Sequence, residues 1–242
     1  MAPAVAAALV AGVVAVATTI ITVLAGRQLE QRRRDQDRTE LIRRYRDPLL
    51  RSAYDLQSRL WNIVRQRFLD VYYINGGASE RSYAVGNTLY VIGEFFAWIE
   101  ILRRDLQFLD LGEESMSKRL VDLIEEIRDK FSRDDIEGRV FRVFRGEQRA
   151  IGEVMSITSS STTGDPPRPE AMGYASFTAN LETPDLARWF SDLKEDIEDR
   201  LTNGDRHDET RLIVVQRALI DLLEFLDPDC LYFQAEKRTR IP

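Results

Sequence analysis

From Ala2 to Gly26 the chain runs without a charged side chain, and Thr18, Thr19 and Thr22 supply its only polar ones. As a helix at about 1.5 Å per residue, this run spans about 37 Å, more than the ~30 Å hydrocarbon core of a bilayer. A signal peptide would need Lys or Arg ahead of a shorter apolar stretch and a small-residue cleavage site after it. No basic side chain precedes the run. The expectation is therefore a retained transmembrane anchor over residues 1–26. Arg27, Arg32, Arg33, Arg34 and Arg38 follow it directly. The positive-inside rule then puts the N-terminus outside and residues 27–242 in the cytoplasm, at the inner face of a cell membrane. One cysteine, Cys230, excludes a disulfide scaffold and fits a reducing compartment. Within the anchor, Ala8 and Gly12 are four apart, as are Ala11 and Ala15, so Ala8, Gly12 and Ala15 offer a small-residue face to a second helix.

Charge is distributed unevenly. The formal total is -6, but residues 27–67 hold twelve Arg against six acids, a local +6, which leaves -12 on residues 68–242. Cationic side chains beside a span gain about 1 kcal/mol each from an anionic inner leaflet, so membrane lipid is the first expected partner. The acidic head is expected to stand off the same leaflet. Interleaved acids Glu30, Asp35, Asp37 and Glu40 and a pI near 5.1 argue against nucleic acid.

After the anchor the apolar periodicity is helical almost throughout, with Arg139–Arg145 (RVFRVFR) read as a turn, which predicts an all-α protein. The expected order is a basic juxtamembrane helix at 27–47, an antiparallel helical bundle at 48–230 and a C-terminal tail at 231–242. Asp47-Pro48 reads as a helix start, with Leu49, Ala53, Leu56, Leu60, Val64, Phe68 and Val71 buried and Asn75-Gly76-Gly77 as the stop. A long helix follows from about Glu80 to Leu109, with Val85, Leu89, Ile92, Phe95, Phe96, Ile99 and Leu102 on its core stripe. Further helices are expected with Leu120, Leu123, Ile124, Ile127 and Phe131 inside, around Arg145–Ile157, from Thr183-Pro184-Asp185 and over Leu212–Leu226. Residues 158–170 (TSSSTTGDPPRPE) read as one polar, proline-punctuated loop.

Three stretches, Tyr45–Ile63 (YRDPLLRSAYDLQSRLWNI), Phe96–Gly112 (FAWIEILRRDLQFLDLG) and Phe144–Met155 (FRGEQRAIGEVM), carry a likeness. With the Trp189-Phe190 and Leu226-Asp227-Pro228 neighbourhoods, the chain resembles a family of bacterial helical proteins with no assigned activity, over roughly residues 40–228. The resemblance implies one integral fold and supplies no catalytic residue.

Two constellations stand out for chemistry. Arg145, Glu147 and Arg149 lie within five residues and offer bidentate donors for an anion, or else simply a charged helix start. Glu100, Arg103 and Arg104 interrupt a very apolar helix, with Glu100 and Arg104 spaced for a local ion pair. If buried, they would join polar groups such as Gln57, Arg59 or Asn62. His207, the only histidine, sits in a polar loop without a metal-ligand pattern, and nothing in the sequence implies a cofactor or a metal. No phosphate-binding loop, dinucleotide fingerprint or nucleophile motif is present. The leading expectation is a non-enzymatic, membrane-anchored scaffold that engages a protein partner or a second copy. A ligand sensor or enzyme using Glu100, Arg103, Arg104, Arg145, Glu147 and Arg149 is the alternative.

Overall fold

The structure, a computed structural model, describes residues 45–106, 114–136, 141–159, 168–203 and 209–242. The anchor run with Ala8, Gly12 and Ala15 and the basic stretch with Arg27, Arg32, Arg33, Arg34 and Arg38 lie outside the described residues. So do Leu109, Gly112, His207 and the centre of the 158–170 loop. Tyr45–Pro242 forms one unit with its own core, and it is mostly helical.

Helix α1 covers residues 45–65. Residues 45–47 are already helical, so Asp47-Pro48 falls inside the helix and does not open it; the φ that proline fixes is itself helical. Leu49, Leu50, Ala53, Leu56, Leu60 and Ile63 are buried along one side. The helix ends earlier than the Asn75-Gly76-Gly77 expected from sequence. Arg67 takes a left-handed φ of 55°, the conformation that closes helices at the position glycine usually fills. A short turn and a π-helical segment, Asp70–Ile74, then carry the chain to Asn75. The break shifts the register, so Phe68 and Leu69 turn inward while Val71, Tyr72 and Ile74 face solvent. Val71 was expected in the core and lies 48% exposed for that reason.

Helix α2 (Ala78–Leu106) is the centre of the fold. Ala84, Leu89, Ile92, Phe95, Phe96 and Ala97 are almost completely buried, and the α-helical stripe widens to most of the circumference. Among the described residues, Ala78–Arg104 is the one helix long and apolar enough to cross a membrane. However, 78% of its most apolar window is buried inside the protein. Helix α4 (Arg145–Met155) makes the most extensive contact with it. That approach depends on Gly152, where a Cβ would come within 2.6 Å of the Phe96 carbonyl oxygen and 2.8 Å of the Glu100 Cβ. Two of the stretches quoted above thus meet backbone to side chain at this crossing.

Helix α3 (Glu114–Ser132) packs on α7 (Thr210–Leu226), and α6 (Pro184–Asn203) packs on α4 and α2. The expected stripes appear as Leu123, Ile124, Ile127 and Phe131 on α3 and Leu186, Phe190, Leu193 and Ile197 on α6. On α7 the buried set is Leu212, Val215, Leu219, Leu222 and Leu226. Arg211, with essentially no exposed surface, closes the end of α3. It donates to the carbonyls of Lys130 at 2.9 Å, Phe131 at 3.1 Å and Arg133 at 3.0 Å, where a cation offsets the helix dipole.

Between α4 and the short α5 (Tyr174–Asn180) the chain forms an antiparallel ribbon, β1 (Ser156–Ser159) with β2 (Arg168–Ala171). Two corrections follow: the helix expected to reach Ile157 ends at Met155, and the flanks of the 158–170 loop are strands. The pairing, Ser156 with Ala171 through Ser159 with Arg168, is a backbone one on an exposed edge that tolerates Pro169. No apolar alternation is needed, so none was there to read.

Candidate functional site

The residues singled out in the sequence go to separate contacts. Glu100 is 3% exposed and its carboxylate is fully engaged. Arg103 donates from Nε at 2.8 Å and Nη2 at 2.7 Å, and Arg104 adds Nε at 2.8 Å. Burial pushes the Glu100 carboxyl up, but these hydrogen bonds outweigh it and hold the group below its usual range. On α4, Glu147 accepts the Phe144 N–H at 2.8 Å and so caps its own helix. Arg149 pairs along the helix with Glu153 at 3.1 Å. Arg145 reaches α3, where it donates to Glu125 at 2.7 Å. Glu153 lies 4.0 Å from Arg104, the nearest the two constellations come to one another. Gln57, Arg59 and Asn62 do not join Glu100: Gln57 turns to Gln216 and Lys237, and Arg59 to Asn87. An open groove of about 240 Å³ between α2 and α3 lies beside this region, floored by Ile99, Leu102, Val121 and Ile124 and edged by Arg103, Glu125 and Arg128.

Gln148, within the Arg145–Arg149 stretch, locks the α3–α4 junction. It is 2% exposed and donates to the carbonyls of Arg128 and Val143, both at 2.8 Å. The polar atoms in this region are spent on holding helices together.

A second polar cluster closes the C-terminus. Asp227 is completely buried. It accepts the N–H groups of Leu231 at 2.9 Å, Tyr232 at 3.1 Å and Phe233 at 3.4 Å, and it pairs with Arg238, whose Nη1 also donates to the Asp227 carbonyl at 2.7 Å. Burial raises the Asp227 carboxyl, yet the backbone donors and then Arg238 bring it below its ordinary value. Residues 231–242, read from sequence as a tail, fold back over α1 and α7. Phe233 stacks on Tyr54 with ring centres 3.7 Å apart, and Ile241 is buried, its N–H donated to Gln216 at 3.0 Å.

A third cluster, on the seam where α1 and α2 meet α5, is different in kind. Arg59 is 8% exposed. Its guanidinium carbon lies 3.9 Å from the Phe68 ring centre and 5.7 Å from that of Tyr83. Nη2 donates to Asn87, whereas Nη1 is buried with no hydrogen-bond partner. Among the described residues no carboxylate lies within 4.0 Å of Arg59. Burial lowers its pKa, and the Tyr83 oxygen works the other way.

Asp55 and Tyr174 act on Arg59, and Tyr90 and Glu94 stand behind them. Asp55 is open to water by surface area, yet the protein packed around its carboxyl raises it against the pull of Arg51 and Arg59. Glu94 is raised by burial and then by Asp55, with the Tyr90 hydroxyl donating to it at 3.3 Å. Burial raises the Tyr90 and Tyr174 phenols as well, so both stay protonated donors. The stripe Tyr83, Gly86, Asn87 and Tyr90 on α2 has helical spacing and faces this seam, but single polar residues on an apolar helix carry no signal of convergence before the chain folds. Comparisons with protein families, characterised proteins and solved structures find no match to this chain.

Proposed function

We propose that this chain is a helical interaction module tethered to the inner face of a bacterial membrane, with a cytoplasmic head that recruits a protein partner or a second copy. The observation that carries the reading is the uncharged run Ala2–Gly26 followed at once by Arg27, Arg32, Arg33, Arg34 and Arg38. Support comes from the head, which builds its core from residues 45–242 and buries within itself α2, the one described helix long and apolar enough to cross a membrane. The same head displays Val71, Tyr72 and Ile74 together on the π-helical turn beyond α1, an apolar patch of the kind that marks a contact surface. The alternative, a sensor or enzyme built on Glu100, Arg103, Arg104, Arg145, Glu147 and Arg149, draws less support because those side chains serve separate contacts.

The test is protease treatment of spheroplasts that express the full chain, combined with a photo-crosslinker at Tyr72. The head should survive external protease and be digested after lysis, and Tyr72 should yield one defined adduct. Release of the chain by carbonate, digestion from outside, or no adduct at Tyr72 would each count against the proposal.

A further inference from the structure

We propose that Arg59, Tyr83 and Tyr174, together with the recess above Gly86, form a binding site for the carboxylate group of a small acid. The argument begins with charge. A guanidinium that is 8% exposed has left bulk water, and a buried cation is stable only when opposite charge or aligned acceptors replace its hydration. The other buried arginines obey this. Arg238 has Asp227, and Arg211 has a ring of α3 carbonyls; in each, the buried nitrogen left unpartnered is Nε. In Arg59 the unpartnered nitrogen is Nη1, a terminal group with two N–H donors on the face that grips carboxylates. Among the described residues the acceptors that Arg59 engages, the amide of Asn87 and the Tyr83 oxygen, are both neutral.

Space and donors adjoin it. Gly86 is buried in the middle of α2, one helical turn from Tyr83 and next to Asn87. A Cβ placed there would meet a single atom within 4 Å, the Tyr174 hydroxyl oxygen at 3.7 Å. Glycine in a helix interior costs about 1 kcal/mol relative to alanine, and here it leaves a recess walled by a phenol. Tyr174 is held by edge-on contact with Tyr90 at 5.2 Å, so its hydroxyl is fixed in direction. Phe68 and Tyr83 give the approach to Arg59 an aromatic lining.

The surrounding charges choose the ligand. Asp55 from α1 acts on the guanidinium, Arg51 and Glu94 in turn face Asp55, and the two acids oppose a multiply charged anion. A singly charged carboxylate on an apolar body fits better than a phosphate dianion. The site lies wholly within residues 45–242, so it stands or falls apart from the membrane reading.

The experiment is calorimetric titration of the full chain with sodium benzoate, sodium acetate and inorganic phosphate, each against sodium chloride at equal ionic strength. Benzoate should bind saturably, with acetate weaker and phosphate weakest. Tyr174→Phe keeps the ring and removes one donor, so it should weaken benzoate about fivefold to tenfold. Gly86→Ala fills the recess with a residue the helix prefers, so it should fold normally and bind at least tenfold more weakly. Benzoate heats no different from chloride, phosphate binding tighter than benzoate, or wild-type affinity in both variants would overturn the site.

Discussion

Asp227, after α7, and Arg59, on α1, are both buried charges, yet only Asp227 is enclosed by groups of opposite polarity. Three backbone N–H groups and Arg238 converge on its carboxylate, and the fold-back of residues 231–242 exists to deliver them. Arg59 has only neutral acceptors, Asn87 and the Tyr83 oxygen, with two aromatic faces and an Nη1 without a hydrogen bond. The first arrangement is finished in the folded chain; the second is complete only with something added. The difference separates a structural use of buried charge from a binding use, and it can be tested in energies.

The largest effect should come from breaking the finished side. Asp227→Ala leaves Arg238 buried without its counter-charge and frees the strap over α1, so it should cost about 3–5 kcal/mol in a urea unfolding series. A loss under about 1 kcal/mol would mean the strap contributes little.

A smaller effect should appear in the pH dependence of stability, and its sign differs between the regions. Asp227 and Glu100 have folded values below their ordinary ones. Their contributions are present above the unfolded carboxyl range and are lost as pH falls through the lower folded values. Asp55 and Glu94 are raised, so the folded chain takes up their protons first and gains stability as pH drops from neutrality through those raised values. Unfolding free energy should therefore peak on the acid side of neutrality. Glu94→Gln should flatten the upper slope and leave the acid loss intact; a curve that only falls on acidification would contradict the assignment for the seam.

Much of the fold was legible in the sequence because burial and helical spacing coincide. The stripes of α2, α6 and α7 could be read directly, as Leu89, Phe95, Phe190 and Leu219 testify. What escaped was set by backbone geometry and long-range pairing. Arg67 ends α1 in a conformation its side chain does not advertise, and the ribbon of Ser156–Ser159 with Arg168–Ala171 pairs through main chain alone. Asp227-Pro228 drew notice only within the likeness, since Arg238 and the N–H groups of 231–233 reach it only after the strap folds back. The polar groups that drew notice by local density, Arg145, Glu147 and Arg149, proved to satisfy one another's neighbours. Arg59 was noticed only as a possible partner for Glu100, because its isolation is visible only once α1, α2 and α5 are in place.

The most direct measurement is the stability of Arg59→Met in the full chain, without added carboxylate. Methionine keeps the apolar contact with Phe68 and removes the uncompensated charge. The account predicts a change within about 1 kcal/mol of zero, or a gain, as when buried charges are replaced by well-packed apolar side chains. A loss of about 3 kcal/mol or more, as large as that of Asp227→Ala, would show that Arg59 is a structural charge already satisfied by its surroundings.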